Sequence, residues 1–512
     1  MPVDPRTPVI VGVGQFTERI DDPEYRGMSA VELATEAVRA ALADAGADVA
    51  AVAKAIQVFA GLRQFEICTP YATAPLGCSD NYIRSVAQRV GADPARAVLE
   101  SIGGNGSQKL VTEFAGAIAA GEIEVALILG SENGSTLKTF AGDRADKPDH
   151  SETVGGQLDD RGYGFEQYMS EYTAKHGLTG APVQYGLLDN ARRARLGLSV
   201  DDYRQQMAEL FAPFSKVAAK NPFSSSPIER SVEEVATVTA ENRMICDPYP
   251  RLMVARDTVN QGAAVLVMSV EAARKLGVPE EKWVYLHGHA DQREQDLLDR
   301  EDVSISYSEK QAVAEALRGA GITIDDVATF DLYSCFPFPV FTVCDDFGLT
   351  ADDPRGLTLT GGLPYFGGPG NSYSLHGIAE TVAAMRDKPG AFGLVGANGG
   401  VMSKYSVGVY STTPIDWAPD RSKELQADIA ALPKVAVTRN ANGTGVIETY
   451  SVRYDWPERT GVIIGRLDAD DSRFMAISTD PALVTLMTDG DPLGAKITVT
   501  AGEDEINRAI LA

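Results

Sequence analysis

Positive charge is scarce in this chain of 512 residues: 46 lysines and arginines stand against 71 aspartates and glutamates, a formal net charge of −25 with a pI near 4.6. The acidity is spread along the chain rather than gathered in a tail. Phosphate binding needs a basic footprint, so neither a nucleic acid nor an anionic membrane surface is an expected partner. Long apolar runs are missing as well. No window of ~18 uninterrupted apolar residues occurs, so no membrane insertion is expected. The opening MPVDPRTPVIVGVG has no basic segment ahead of an apolar stretch, which points to a cytoplasmic chain.

Cysteine and histidine are few. Cys68, Cys78, Cys246, Cys335 and Cys344 are too scattered for a disulfide framework and none forms a Cys-x-x-Cys pair, so structural zinc is not expected either. Among His150, His176, His287, His289 and His376 only His287 and His289 are close, in YLHGHA, where alternation along a strand produces that spacing without a metal. What remains is ordinary. A content of 44% hydrophobic and 23% charged residues suits a compact protein of three or four domains, or two large ones with an appendage.

Periodicity organises the chain. PVIVGVGQF (8 to 16) reads as a buried strand, SAVELATEAVRAALADAG as a helix closed by Gly46, and AIQVFAG as the next strand. The same order returns in KWVYLHGHA (282 to 290), SEKQAVAEALRGAG (308 to 321, closed by Gly321) and VATFDLYS. Ala-Leu-x-x-Ala-Gly stands at 41–46 and again at 316–321, which supports an internal duplication. Strands apolar on both faces, such as EVALILGSENG (124 to 134) and AFGLVGANGG (391 to 400), need helices on both sides, so the fold class is a duplicated, layered α/β core. The halves are expected at 1–275 and 276–413, the first interrupted at about 135–250 by a mostly helical cap that carries Arg192, Arg193 and Arg195. The prolines and mixed charge of TTPIDWAPDRSKE mark a linker. Beyond it, short strands with one helix at DPALVTLMTDG predict a small β-barrel of the oligonucleotide/oligosaccharide-binding type over 420–512, with acidic runs that favour a packing or small-ligand role.

ESIGGNGSQ, NPFSSSPIERSVEEV (221 to 235), NQGAAVLVMS (260 to 269), DLYSCF (331 to 336) and GGLPYFGGPGNSYSLHG (361 to 377), in this order across roughly residues 5 to 413, resemble the thiolase superfamily and within it the sterol-carrier type. The appended barrel is similar to the additional C-terminal domain of thiolase-like proteins of type 1. The resemblance implies an acyltransferase-family fold in lipid metabolism, with coenzyme A or an acyl-CoA as ligand and no metal. In that family a cysteine at a helix N-terminus takes the acyl group, and the histidine of Gly-His-Pro activates it. The cysteine of Cys-x-Gly moves the α-proton, and an Asn or His completes an oxyanion hole. Carried over motif by motif, these four positions hold Gly103, Gly368, Ala397 and Tyr333. A glycine cannot be acylated and an alanine cannot exchange a proton, so thiolase activity is expected to be absent. Cys335 matches a family cysteine that is not the nucleophile and is expected in the core. Cys344, beside Asp345 and Asp346, is expected to have a raised pKa.

The glycine scaffolding persists in Gly103, Gly104, Gly106, Gly367, Gly368, Gly370, Gly399 and Gly400. Its amides can hold a thioester oxygen, or the glycines can simply make tight turns. Arg192, Arg193 and Arg195, with Lys216 and Lys220, are the candidate partners for the phosphates of coenzyme A. Three functions stay open: acyl-CoA binding without Claisen chemistry; a carbon–carbon lyase resembling steroid side-chain aldolases, with Tyr333, Tyr365, Tyr373 and His376 as candidate acid or base groups; and a non-catalytic scaffolding subunit. The family commonly dimerises through the strand before the nucleophile loop, here ARAVLES, so the expectation is a homodimer, or a monomer where an extra domain covers that edge.

Overall fold

The computed structural model describes residues 3–142, 145–164, 169–454 and 458–512, so parts of the expected cap, 143–144 and 165–168, lie outside it. Both halves begin with the same local device. Ser29 caps the Ala30–Asp44 helix by accepting from the Glu32 amide, and Ser306 caps the Tyr307–Ala320 helix by accepting from the Glu309 amide. Each helix then lies against the strand before it so closely that only glycine fits there. A Cβ on Gly12 would overlap the Ala41 carbonyl oxygen, and one on Gly288 would overlap that of Ala316. Ala41 and Ala316 open the repeated hexapeptide, so the duplication read from the sequence is a duplicated packing contact.

The halves share one sheet of ten strands. They meet where Pro8–Thr17 runs antiparallel to Val284–Arg293, with Val9 opposite Tyr285. Outward from this seam the first half adds Asn260–Ser269, Val125–Asn133, Val58–Leu62 and Arg96–Glu100, and the second adds Lys404–Ser411, Phe392–Gly399 and Val327–Asp331 in the equivalent order. The Gly106–Ala119 and Tyr373–Asp387 helices contact strands of both halves and each other, forming the central layer. Their apolar sides, with Leu110, Phe114, Leu375 and Val382, share one buried cluster with strand residues Ile128 and Val265. The free edge beyond Arg96–Glu100 is taken by Asp159–Asp160, paired in parallel at Val98 and Leu99.

The C-terminal part is a closed barrel of five strands: Gly443–Arg453, Thr460–Leu467, Arg473–Ser478, Lys496–Ala501 and Asn507–Leu511. The first strand pairs with both the second and the fourth, and the third runs parallel to the fifth. The Pro481–Asp489 helix lies between the third and fourth strands in sequence. The barrel has its own interior, with Ile447, Phe474 and Val499, yet Val462, Ile464 and Met475 on its outer side belong to the hydrophobic cluster of the cap and second half. A cap strand, Met244–Cys246, extends the barrel's sheet at Arg453. The proline-containing stretch after 413 is therefore not a free linker. His287 Nε2 bonds the Thr413 carbonyl at 2.7 Å, His289 bonds that of Ala418 at 3.2 Å and stacks on Trp417, and Ser422 accepts from the Asp291 amide at 2.8 Å. The close histidine pair fastens a strap.

Gly288→Ala is expected to destabilise the chain by about 1–3 kcal/mol, because the added methyl must push the Tyr307–Ala320 helix off its strand. Urea unfolding of the two proteins checks this; equal midpoints would show that the close approach is not tight.

Candidate functional site

Three glycine-containing turns converge because the duplication brings the N-terminal ends of both central helices to one place. They are the turn before Gly106–Ala119, the one before Tyr373–Asp387, and the one joining Phe392–Gly399 to Lys404–Ser411. They enclose a cavity of about 340 Å³ lined by Gly103, Gly104, Tyr333, Cys335, Gly368 and Asn398, with Tyr185 closing it from the cap. Of the residues aligned with the reactive positions, the cavity thus gathers Gly103, Tyr333 and Gly368.

Ala397 is not among them. It is fully buried on the Phe392–Gly399 strand, and the next residue, Asn398, faces the cavity instead. Asn398 Nδ2 donates to the Tyr185 hydroxyl at 2.5 Å, while its Oδ1 is buried without a partner among the described residues. Gly399 likewise lies outside the lining, and Gly400 takes its place.

Gly103 has φ +143, a conformation that side-chain-bearing residues rarely adopt, and a Cβ there would meet Asn105 Oδ1. Its amide already donates to Asn371 Oδ1 at 2.8 Å. The Gly368 amide is also taken, by the Arg256 carbonyl at 2.8 Å. Gly104 differs: its amide donates to no described residue, and a Cβ on it would overlap the Tyr333 hydroxyl and the Asn398 carbonyl. Of these three amides, the one available to an incoming oxygen is that of Gly104, with the Tyr333 hydroxyl beside it.

Burial pushes the Tyr333 pKa well above the usual phenol range, so its hydroxyl stays protonated. Cys335 is pushed up to about 12 by burial, which keeps it a thiol. Burial, with Asp345 adding to it, likewise pushes Cys344 up to about 12. His376 stands apart from the cavity. It is fully buried in the Tyr373–Asp387 helix with Nδ1 on Gln15 Oε1 at 2.7 Å and its ring edge-on to Phe366, and burial drops its pKa to about 3. The expectation that it serves as an acid or base beside Gly103 is corrected accordingly. Tyr373 bonds Thr360 at 2.6 Å and supports Tyr333 edge-on, and Tyr365 faces a different cavity.

Arg192, Arg193 and Arg195 are also corrected as phosphate partners. Arg192 Nε and Nη2 grip Asp345 at 2.8 and 2.7 Å, and Arg195 reaches the same carboxylate at 2.7 Å. Arg193 grips Asp491 of the barrel at 2.7 and 2.9 Å. These pairs hold the cap onto the second half and the barrel, and none of the three arginines lines the inner cavity or the basin outside it; nor do Lys216 and Lys220.

The sequence reading missed a different set of cations. Outside the inner cavity lies an open basin of about 1090 Å³ whose lining includes Lys138, Arg230, Arg243, Arg251 and Arg256. The two spaces share Pro182, Val254, Ala255 and Asp257. Glu233, Glu234 and Glu241 also line the basin, with Glu234 paired to Arg230 at 3.2 Å. Arg256 is half-buried and makes no ion pair with any described residue; burial and the neighbouring Arg251 lower its pKa.

The sequence profile of the thiolase-like protein type 1 additional C-terminal domain matches residues 424–504. A crystal structure of a monomeric SCP2-thiolase-like protein type 1 from Mycobacterium smegmatis is 63% identical, with 100% of each chain covered and a TM-score of 0.87. An Ltp2-ChsH2(DUF35) aldolase is 19% identical over 80% of this chain and 98% of its own, with a TM-score of 0.56. An acetyl-CoA acetyltransferase from Syntrophomonas wolfei is 16% identical over 79% and 98%, with a TM-score of 0.55. At such identities the last two share the fold. No protein of curated function matches the chain in sequence.

Two outcomes follow from the buried groups. With its pKa near 12, Cys335 is expected to alkylate at pH 7.5 at least ~1000-fold more slowly than a free thiol of pKa ~8.5; mass spectrometry after timed iodoacetamide treatment reads this, and rapid labelling contradicts it. His376 is folded in its neutral form with a pKa near 3, below the ordinary ~6.5. Its contribution to stability is therefore complete above about pH 6.5 and is lost as the pH falls toward 3. His376→Gln is expected to flatten the stability profile between pH 6.5 and 4 by up to one proton's slope, ~1.4 kcal/mol per pH unit. Parallel slopes in denaturant titrations across that range would contradict it.

Proposed function

The chain belongs to the SCP2-thiolase-like proteins of type 1, and from that membership we propose that it binds coenzyme A or an acyl-CoA without performing thiolase chemistry. The positions aligned with the family's reactive groups hold Gly103, Gly368, Ala397 and Tyr333, and Gly103 has no room for a side chain while Asn105 stays in place. The observation that carries the binding half of the proposal is Arg256. A half-buried guanidinium that pairs with no carboxylate in contact, opposed only by the more distant Asp21, is free to take an anionic group of a ligand. Arg256 stands on the basin beside Val254, Ala255 and Asp257, which line both spaces. In this reading the phosphates lie in the basin against Arg256 and Arg251, and the thioester end enters between Val254 and Pro182. Its carbonyl oxygen meets the Gly104 amide and the Tyr333 hydroxyl.

A lyase reading retains one observation, the Tyr333 hydroxyl over the Gly104 amide. Burial keeps that phenol protonated, which suits an acid and not a base.

Coenzyme A at ~100 times its dissociation constant is expected to stabilise the chain by ~2.7 kcal/mol, seen as a raised melting temperature. Arg256→Ala is expected to weaken coenzyme A by tenfold or more and to leave pantetheine, which lacks the phosphates, unchanged. Turnover of acetoacetyl-CoA at ~1 per second or faster would overturn the non-thiolase half; no shift with coenzyme A or with short and long acyl-CoAs would overturn the binding half and favour a scaffolding role.

A further inference from the structure

A second cavity, of about 330 Å³, lies where the cap, the second half and the barrel meet, and its lining includes a buried arginine that no carboxylate of the described residues touches. Arg300 is 1% exposed. Its Nε donates to the Gln295 carbonyl at 3.1 Å and its Nη2 to that of Met402 at 3.0 Å, while Nη1 is buried with no partner among the described residues. Glu294 and Asp296 of the same cavity oppose the Arg300 charge from a distance, and neither forms an ion pair with it. Glu294 accepts from the Ser308 amide at 2.8 Å and the Gln295 amide at 3.1 Å, Asp299 pairs with Lys434 at 2.7 Å, and Asp296 is exposed. Arg473, fully buried nearby, gives its charge to Glu448 and donates to the carbonyls of Leu298, Arg300 and Glu301. It adds positive potential beside Arg300 and offers no neutralisation. Two exposed guanidinium groups, Arg293 and Arg439, stand in the cavity lining without ion pairs to described residues.

A buried guanidinium with one face unbonded and no carboxylate in contact is costly, and an anion at that face would complete it. We propose that this junction cavity is a second ligand site, separate from the basin assigned to the coenzyme A phosphates, which takes a small oxyanion, a carboxylate or a phosphate, on Arg300 Nη1 with Arg293 and Arg439 drawing it in. The proposal stands without the coenzyme A reading, because Arg256 and Arg251 belong to a separate basin. The two sites nevertheless share a wall. Ser403 lines both the junction cavity and the inner cavity, and Met402, whose carbonyl Arg300 holds, donates its amide to the Tyr185 hydroxyl at 3.4 Å.

The test titrates the full chain with inorganic phosphate and with glutarate at constant ionic strength in chloride, by melting temperature and calorimetry. Saturable binding of either anion is expected in the unaltered chain and in Arg256→Ala, with a loss of tenfold or more in the double variant Arg293→Ala, Arg439→Ala, whose side chains are exposed and whose fold should be intact. Arg300→Met is expected to abolish binding without lowering the melting temperature, because it removes a buried charge that no carboxylate touches; should that variant fail to fold, the double variant decides. Glutaryl-CoA binding lost on Arg300→Met, without binding of free glutarate or phosphate, would place the oxyanion on the far end of an acyl group and support the site from that source. No response to phosphate, glutarate or glutaryl-CoA beyond that to chloride, or responses unchanged in both arginine variants, would overturn the proposal.

Discussion

Backbone meets backbone where the two halves join, and the site depends on that contact. Gly103 of the first half lies against Gly399 of the second, with Asn105 Oδ1 filling the space a side chain on either would need. Gly104 faces the Asn398 carbonyl, a Cβ on Gly130 would strike Ser372, and one on Gly370 would strike Glu132. Each of these pairs crosses the seam of the duplication. The halves close this tightly because both sides have given up their side chains; a side chain restored at Gly103 would first meet Asn105 Oδ1, in a backbone conformation with φ +143 that side-chain-bearing residues rarely adopt. What the closure leaves is a small cavity with an unused amide and a protonated phenol, an arrangement suited to holding a carbonyl oxygen rather than to moving protons.

In a chain of net charge −25, the placement of each buried cation is informative. Arg192 and Arg195 are spent on Asp345 of the second half and Arg193 on Asp491 of the barrel, while Arg473, paired with Glu448 within the barrel, reaches the second half through the carbonyls of Leu298, Arg300 and Glu301. Such pairs fix orientation more than they add stability. Arg256 and Arg300 break the pattern. Neither has a carboxylate in contact, although Asp21 opposes Arg256 and Glu294 and Asp296 oppose Arg300 from a distance, and both border cavities.

The sequence made the core legible because its determinants are local or repeated. Helix caps at Ser29 and Ser306, the stop at Gly321 and the twice-used Ala-Leu-x-x-Ala-Gly all act within a few residues, and the barrel follows from short alternating strands. The site was legible as a set of turns and illegible as a set of side chains. Ala397 and Asn398 are neighbours on one strand, and which of them faces the cavity is a matter of register that motif spacing places to within one residue. The arginines of the cap lie at the end of an amphipathic helix, as solvated residues do, and their partners are Asp345 and Asp491, 153 and 298 positions away from Arg192 and Arg193. His376 belongs to the same class, since Gln15, which holds it, is 361 positions distant.

The edge of the large sheet shows how a single short pairing changes what a fold can assemble. Arg96–Glu100 is the strand through which related folds were expected to meet a second copy, and here its outer side is filled by Asp159–Asp160 from the same chain. Arg161 anchors that segment, donating to Glu100 at 2.7 Å and to Glu113 at 2.6 and 2.7 Å, and the Ile102 amide bonds the Tyr163 carbonyl at 3.1 Å. The covering strand presents two exposed aspartates. Asp160 pairs with Arg63 and Asp159 with Arg96 at 3.5 Å, so ion pairs as well as backbone hydrogen bonds hold the covering segment on the edge that a second copy would otherwise extend. The SCP2-thiolase-like protein from Mycobacterium smegmatis is described as monomeric; in this chain the edge that an extra domain was expected to cover is covered instead by Asp159–Asp160.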